Sequence, residues 1–354
     1  MDGFETAPPK RPRLDYPFGR TEPEIGKSVQ IAERIEWVAM PLNFSLKFIN
    51  NWLIDDGDGW TIVDTGIAYD ETREAWRNLL ADRVTPDKPL KRVIVTHMHP
   101  DHVGTAGWLC YKYGAELWMT RLEYTTCRML VADTGREAPE VGVDFYRRAG
   151  WSEAQLETYK ERFGNFGRGV TRIPESFFRL SDGDTFEMGG KSWEVITGSG
   201  HSPEHACLYC AELNIVISGD QLLPRISSNV SVHPTEPKAD PLDDWIESCE
   251  TLKRRLPEDV LVLPAHNEPF RGAHHRLQHL IDGHFVTLER LKAKLARGPM
   301  KVTDTFTTMF ARAIGDDVIH MATGEALAHL NYLIHRGDVR VSQDEHGVDL
   351  YHLA

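Results

Sequence analysis

Along the 354-residue chain, apolar residues gather into short β-type runs, several of which end at a histidine or an aspartate. From Ser28 onward, alternating runs broken by turns, including the Asp56-Gly-Asp-Gly59 turn, predict a set of paired strands. Residues 93–95, Val-Ile-Val, lead into Thr96-His97-Met-His99-Pro-Asp101-His102. Ile196 leads through Thr-Gly-Ser-Gly200 to His201, Ile215-Val-Ile-Ser-Gly219 to Asp220, and Val260-Leu-Val-Leu-Pro-Ala265 to His266. A polar residue just past a strand end is where an α/β sheet presents its functional loops, so four strand ends are expected to converge on one place.

Elsewhere the period lengthens to that of helices. Residues 70–80 predict one helix, and another is expected to open near Val103, behind the histidine-rich loop. The stretch from about 120 to 172 breaks the strand pattern. Residues 121–132, 143–149 and 152–163 read as amphipathic helices, the last with Ser152 as N-cap and Gly164 as stop. This insertion is placed to cover the strand-end loops and reads as a substrate lid, with Met129, Phe145, Tyr146, Phe163 and Phe166 as its apolar wall. From about residue 271 the pattern changes again: a long helix over 274–296, a short one opening at Val302, another over 323–335, then a hairpin from 338–341 to 348–351. Three helices and a hairpin is the order of a small winged-helix-like domain. The expected organisation is an N-terminal arm (1–24), an α/β domain (25–270) and a C-terminal module (271–354).

Composition narrows the class. With 41% apolar and 9% aromatic residues, the chain can bury a large core. No apolar run approaches a membrane span, and the N-terminus lacks the plan of a signal peptide, so a cytoplasmic location is expected. Five cysteines argue for a reducing compartment, and Cys207 and Cys210, in a strand-like run with no second pair nearby, read as buried thiols. The net charge of −13 disfavours nonspecific attraction to nucleic acid or anionic membranes. Against it stand the basic, proline-rich string Ala7-Pro-Pro-Lys-Arg-Pro-Arg-Leu14, read as a mobile or surface-hugging arm, and residues 271–301, where Lys and Arg outnumber acids.

Three histidines and a carboxylate in one loop would repel one another if protonated and would lack partners if buried, so a strand leading into them calls for a cation. Imidazole and carboxylate suit zinc, and manganese, iron and cobalt also accept them.

The string His97-x-His99-x-Asp101-His102, followed by His201, Asp220 and His266, resembles the metallo-β-lactamase superfamily of binuclear metal hydrolases. Asn50-Asn-Trp-Leu-Ile54, the segment from Asp58 to Gly66, and Gly200-His201-Ser-Pro-Glu-His205 are similar to that family's pattern as well. The resemblance implies an αββα sandwich in which His97, His99 and His201 hold one metal, Asp101, His102 and His266 hold the other, and Asp220 bridges them. A hydroxide held between two cations stays nucleophilic near neutral pH and is aimed at a carbonyl or phosphoryl centre. Asp101 would orient that nucleophile and later pass a proton to the leaving group. Asp64 and His205 resemble positions that hydrogen-bond a ligand's far nitrogen.

After the bridge, Arg225, Ser228, Asn229 and His233 are candidate substrate contacts, because a polar loop leaving Asp220 must pass near the metals. Leu223 stands where lactonases of the family commonly carry tyrosine, and Asp220 stands where the best-known zinc β-lactamases use cysteine; both departures point away from those activities. What remains is a hydrolase of a carboxylic ester, thioester or lactone, acting on a small-molecule acyl substrate. The alternative is a metal-dependent endoribonuclease acting on single-stranded RNA, since a similar tail occurs in the lactamase-β-like branch. The bulk charge and the apolar insertion favour the first. A metal-stabilised scaffold fits poorly, because a structural site needs only four closed ligands. The tail is expected to pack across the metal domain or to form a dimer contact.

Overall fold

The computed structural model describes residues 13–19, 22–43 and 46–354. Most of the basic N-terminal string lies outside these residues. Where the arm is described, Asp15 pairs with Arg271 through two backbone hydrogen bonds, and Leu14 and Tyr16 pack on the core.

Two sheets stack face to face. The first holds β1 (Ser28–Ala32), β2 (Ile35–Pro41), β3 (Phe48–Asp55), β4 (Trp60–Val63), β5 (Leu90–Ile94), β6 (Glu116–Thr120) and β7 (Phe178–Leu180), side by side in chain order. β1 to β4 run antiparallel and β4 to β7 parallel. The second holds β8 (Thr185–Met188), β9 (Lys191–Gly198), β10 (His205–Cys210), β11 (Ile215–Gly219) and β12 (Leu261–Pro264), again in chain order, with only β11 and β12 parallel.

The strand period of two sorts side chains between layers. Trp37, Trp52, Ile54, Val63 and Ile94 of the first sheet meet Trp193, Val195, Leu208, Ile217 and Leu263 of the second in a shared core. The outer face of the first sheet is covered by α1 (Asp70–Leu80) and, after the short α2 (Pro100–Val103), by α3 (Ala106–Tyr113), through Trp76, Leu80 and Leu109. The insertion supplies α4 (Arg121–Ala132), α5 (Glu140–Arg148) and α6 (Glu153–Arg162); α7 (Pro241–Arg255) and α8 (Ala273–Leu295) then cover the second sheet through Trp245, Leu252 and Leu277. This is the αββα sandwich. The same alternation separates the two cysteines of β10: Cys207 faces the helical layer and Cys210 the inter-sheet core, and all five cysteines are free and buried.

Several boundaries move. The helix expected near Val103 opens at Pro100, whose fixed φ suits a first helical position, so Asp101 and His102 stand on a helical turn. α6 opens on Ser152 with a reciprocal Ser152–Gln155 capping box and stops at left-handed Gly164. The tail follows the expected order as α8, α9 (Val302–Met309), α10 (Ile319–His335) and the hairpin β13 (Val339–Gln343) and β14 (Asp349–Leu353).

This tail packs on the insertion. Trp151 Nε1 donates to Thr323 Oγ1 at 2.9 Å, and Arg148 pairs with Asp349. It also clamps the loop after Asp220: Val232 N–H donates to Gly324 O, and Asn331 donates to Pro237 O and Ala239 O. Among the described residues, no helix is long and apolar enough to cross a membrane.

Candidate metal centre

The four predicted strand ends do meet. β5 delivers His97, His99, Asp101 and His102; β9 leads to His201; β11 ends beside Asp220 and β12 beside His266. Around one point His97 Nε2 lies 2.8 Å from His99 Nδ1, which lies 3.1 Å from His201 Nε2, and Asp220 Oδ2 is 3.4 Å from His201 Nε2. Around a second, His102 Nε2 is 3.7 Å from Asp101 Oδ2 and 3.5 Å from Asp220 Oδ1, while His266 Nε2 is 3.3 Å from Asp101 Oδ2 and 3.5 Å from Asp220 Oδ1. A tetrahedron with bonds of ~2.05 Å has edges of about 3.3 Å, so both sets fit a zinc-sized ion, and the two oxygens of Asp220 face one set each. His102 Nε2 and Asp220 Oδ1 are buried with no hydrogen-bond partner, as atoms reserved for a cation would be.

The electrostatics give His97, His99, Asp101 and Asp220 the protonation state a metal requires, whereas at His102 and His266 the nearby carboxylates outweigh burial and raise the pKa, so that an arriving cation would displace a proton there. Burial, reinforced by neighbouring imidazoles, pulls His97 well below the usual histidine range and His99 down to about 3, leaving lone pairs available. Burial opposes ionisation of Asp101 and Asp220, yet His102 and His266 outweigh it, holding Asp101 at about 2 and Asp220 well below the usual carboxylate range.

One carboxylate orients a histidine in each set. Asp64, 1% exposed and in the left-handed region at φ 59°, accepts from Thr96 N–H at 2.8 Å and from His102 Nδ1–H at 2.8 Å. In the neutral, metal-binding ring that fixes the tautomer with Nε2 bare on His102. Thr96 Oγ1, 2.9 Å from Asp64 Oδ2, also lies 3.2 Å from His97 Nδ1, carrying the same orientation to His97. His205 departs from its expected role: it touches no ligand's far nitrogen, but stacks on His97 with ring centroids 4.8 Å apart and accepts the backbone N–H of Asp220 through Nε2 at 3.1 Å. Glycine is required at 219, since φ is 49° and a Cβ would stand 2.5 Å from that His205 nitrogen.

The residues after the bridge hold the site together. Ser228 Oγ donates to Asp220 O. Asn229 O accepts His201 Nδ1–H at 2.7 Å, and the Asn229 side chain donates to Glu325 Oε2 on α10 at 3.0 Å. Arg225 pairs with buried Glu268, two residues past His266. Arg225 and Asn229 also border a cavity of about 800 Å³ against α8 and α10, together with Arg276, Arg312 and His284. His233 is exposed on this loop, and its pKa is lowered by desolvation and then by His320 and His201.

The sequence reading missed Glu123. Fully buried on α4, it accepts Met98 N–H at 2.9 Å and Glu204 N–H at 2.8 Å, tying the His97–His99 loop to the loop after His201. Burial raises its pKa against those hydrogen bonds. Its only sequence signal is an acid in the first turn of a helix that follows a strand, and many exposed acids share that signal. The expected apolar wall divides: Phe163 lines a cavity, Tyr146 lines it and joins the core, Phe145 and Phe166 pack against cores, and Met129 is 46% exposed.

Residues 45–266 match the family described as Metallo-beta-lactamase superfamily, and residues 288–354 match Metallo-beta-lactamase-like, C-terminal domain. The crystal structure of a beta-lactamase domain protein from Burkholderia ambifaria aligns with a TM-score of 0.87 and 38% identity, covering 96% of this chain and 98% of that one. The linear primary-alkylsulfatase of a Pseudomonas species is 25% identical over 62% of this chain, which spans 42% of that enzyme's length. The acyl-coenzyme A thioesterase MBLAC2 of Bos taurus is 23% identical over 68% of this chain and 80% of its own.

Proposed function

Because the chain belongs to the metallo-β-lactamase superfamily of metal-dependent hydrolases, we propose that it holds two divalent ions, zinc foremost, and hydrolyses a carboxylic ester, thioester or lactone, with acyl thioesters as the leading class. The observation that carries this reading is Asp220, with one oxygen facing each ligand set. Two ions so placed supply a water ionised near neutral pH and a Lewis acid for the scissile carbonyl.

In this reading His97, His99 and His201 hold one ion, Asp101, His102 and His266 the other, and Asp220 spans both. The chain's own groups do the rest. Asp64 keeps His102 in the ligating tautomer, His205 fixes the backbone of Asp220, and Asn229 O orients His201. Asp101, whose Oδ2 is 3.3 Å from His266 Nε2 and 3.7 Å from His102 Nε2, is placed to orient the attacking water and to carry a proton to the leaving group. The cavity bordered by Arg225 and Arg312 has room for a bulky leaving group.

Two further points favour a small acyl substrate over RNA. The net charge is −13, and basic residues near the start of α8 are committed internally: Arg276 is 4% exposed and donates to Leu223 O and Ile226 O, and Arg271 donates to Asp259 O. The five free thiols suit a reducing, cytoplasmic setting. The tail's clamp on the 229–239 loop supports a role within the chain as a wall of the site.

The test is a panel of thioesters, esters, lactones, phosphodiesters and single-stranded RNA, run with metal-loaded and chelator-treated protein. Thioester turnover that disappears on chelation and returns with added zinc is the expected result. Cleavage confined to RNA or to phosphodiesters would overturn the reading.

A further inference from the structure

A separate cavity of about 330 Å³ lies where the insertion meets the tail. Tyr146, Trp151, Tyr159 and Phe163 supply aromatic walls from the α5–α6 region, and Ile319 and His320 close it from the start of α10. The rings form a ladder, with Tyr146 and Trp151 centroids 4.2 Å apart, Tyr146 and Tyr159 4.8 Å, and Tyr159 and Phe163 6.1 Å. Neither structural unit makes this space alone. Trp151 is fixed across the junction by its hydrogen bond to Thr323, and Gln155 by one to Asp316 at 2.9 Å.

Two short runs of bonded and packed residues join the lining of this cavity to the proposed metal ligands. On one side His320 precedes Met321, whose carbonyl accepts from Asn229 Nδ2 at 3.4 Å, and Asn229 O holds His201. On the other, Asn165 lines the cavity and opens a 3-10 turn, Asn165–Gly169, that ends against Pro100, between His99 and Asp101. Four steps of ~2 Å each separate Asn165 from Gly169, and with the gap from Gly169 to Pro100 the cavity lining stands on the order of 10 Å from the ligand loop, a span that a medium acyl chain can bridge.

We propose that this aromatic cavity is the acyl-side pocket, selecting an apolar chain or ring whose carbonyl carbon lies at the metal centre. The proposal rests on the thioesterase reading above and adds the acyl class. Burying apolar substrate surface among packed rings offers a transfer gain for every methylene admitted, and the volume sets the length at which that gain stops.

The experiment measures kcat/KM of the metal-loaded enzyme on coenzyme A thioesters with saturated chains of increasing length and with a phenyl-bearing acyl group. Each methylene that enters should raise kcat/KM up to about fourfold, and the rise should stop at a defined length. Thr158→Phe, on the cavity wall, should bring that stop to a shorter chain and lower the long-chain value at least about tenfold, while the acetyl thioester changes less than about threefold. Phe163→Ala should flatten the length dependence, and unchanged circular dichroism spectra would show that both variants fold. A wild-type profile flat in chain length, or variant profiles that parallel it, would overturn the pocket while leaving the thioesterase reading standing.

Absence of turnover on every thioester would sink the thioesterase reading instead. The cavity is then tested by 1-octanol alone: a rise in melting temperature in the wild type that Thr158→Phe abolishes supports an apolar site, and equal rises in both overturn it.

Discussion

Asp64→Asn separates ligand geometry from folding more sharply than removal of a ligand would. Asparagine matches aspartate in size and tolerates the left-handed backbone at φ 59°, so the turn is kept. What changes is the hydrogen-bond pattern. The carboxylate accepts from Thr96 N–H, Thr96 Oγ1–H and His102 Nδ1–H. The amide keeps one acceptor for Thr96 N–H and turns its NH₂ toward His102 Nδ1, donor against donor. His102 must then carry its proton on Nε2, the atom that faces Asp101 and Asp220. A lost charge-assisted hydrogen bond of about 1.5–3 kcal/mol corresponds to a roughly 10- to 150-fold weaker ion at that set, in line with the 10- to 100-fold range for groups that orient metal ligands. The His97, His99 and His201 set, which meets Asp64 only through Thr96, should weaken less than about threefold on the same reasoning. Competition with a calibrated chelator, followed as two binding steps, reads both values, and circular dichroism checks the fold. Two binding steps unchanged from wild type would refute the role given to Asp64.

Three further outcomes follow from the same geometry. Asp220→Ala should bind at most one ion per chain and lose turnover, whereas Asp101→Asn should lose turnover with a smaller change in metal content; elemental analysis beside a thioester assay separates them. Glu123→Gln replaces one of two acceptor oxygens by a donor facing a backbone N–H, so stability should fall by about 1–3 kcal/mol, seen as a lower midpoint in denaturant melts. Glu325, which burial raises to about 7 against its hydrogen bond from Asn229, binds a proton more tightly folded than unfolded. Its contribution is therefore fully present below pH ~4.5 and is lost as pH rises through about 7, so Glu325→Gln should flatten the fall in stability over that window, by roughly 1–3 kcal/mol for a carboxyl partly open to a cavity.

The candidate metal-binding residues were legible in the sequence because strand ends are local signals: an apolar run of period two followed by a histidine or an aspartate marks where the chain leaves a sheet, and the two sheets place those ends together. The helices of the insertion and the tail were legible for the same reason, their period and caps being written within a dozen residues. Other features depend on partners far apart in the chain. Glu123 meets Glu204, 81 positions on; Asn229 meets Glu325, 96 positions on; and the aromatic cavity needs α6 and α10 at once. His205 shows the divide at a single residue, since its place beside the ligands was readable while its hydrogen bond to Asp220 N–H was not. Periodicity fixes which face of an element is buried, but which buried donor meets which acceptor is set only when packing brings distant segments together and leaves no water to satisfy them otherwise.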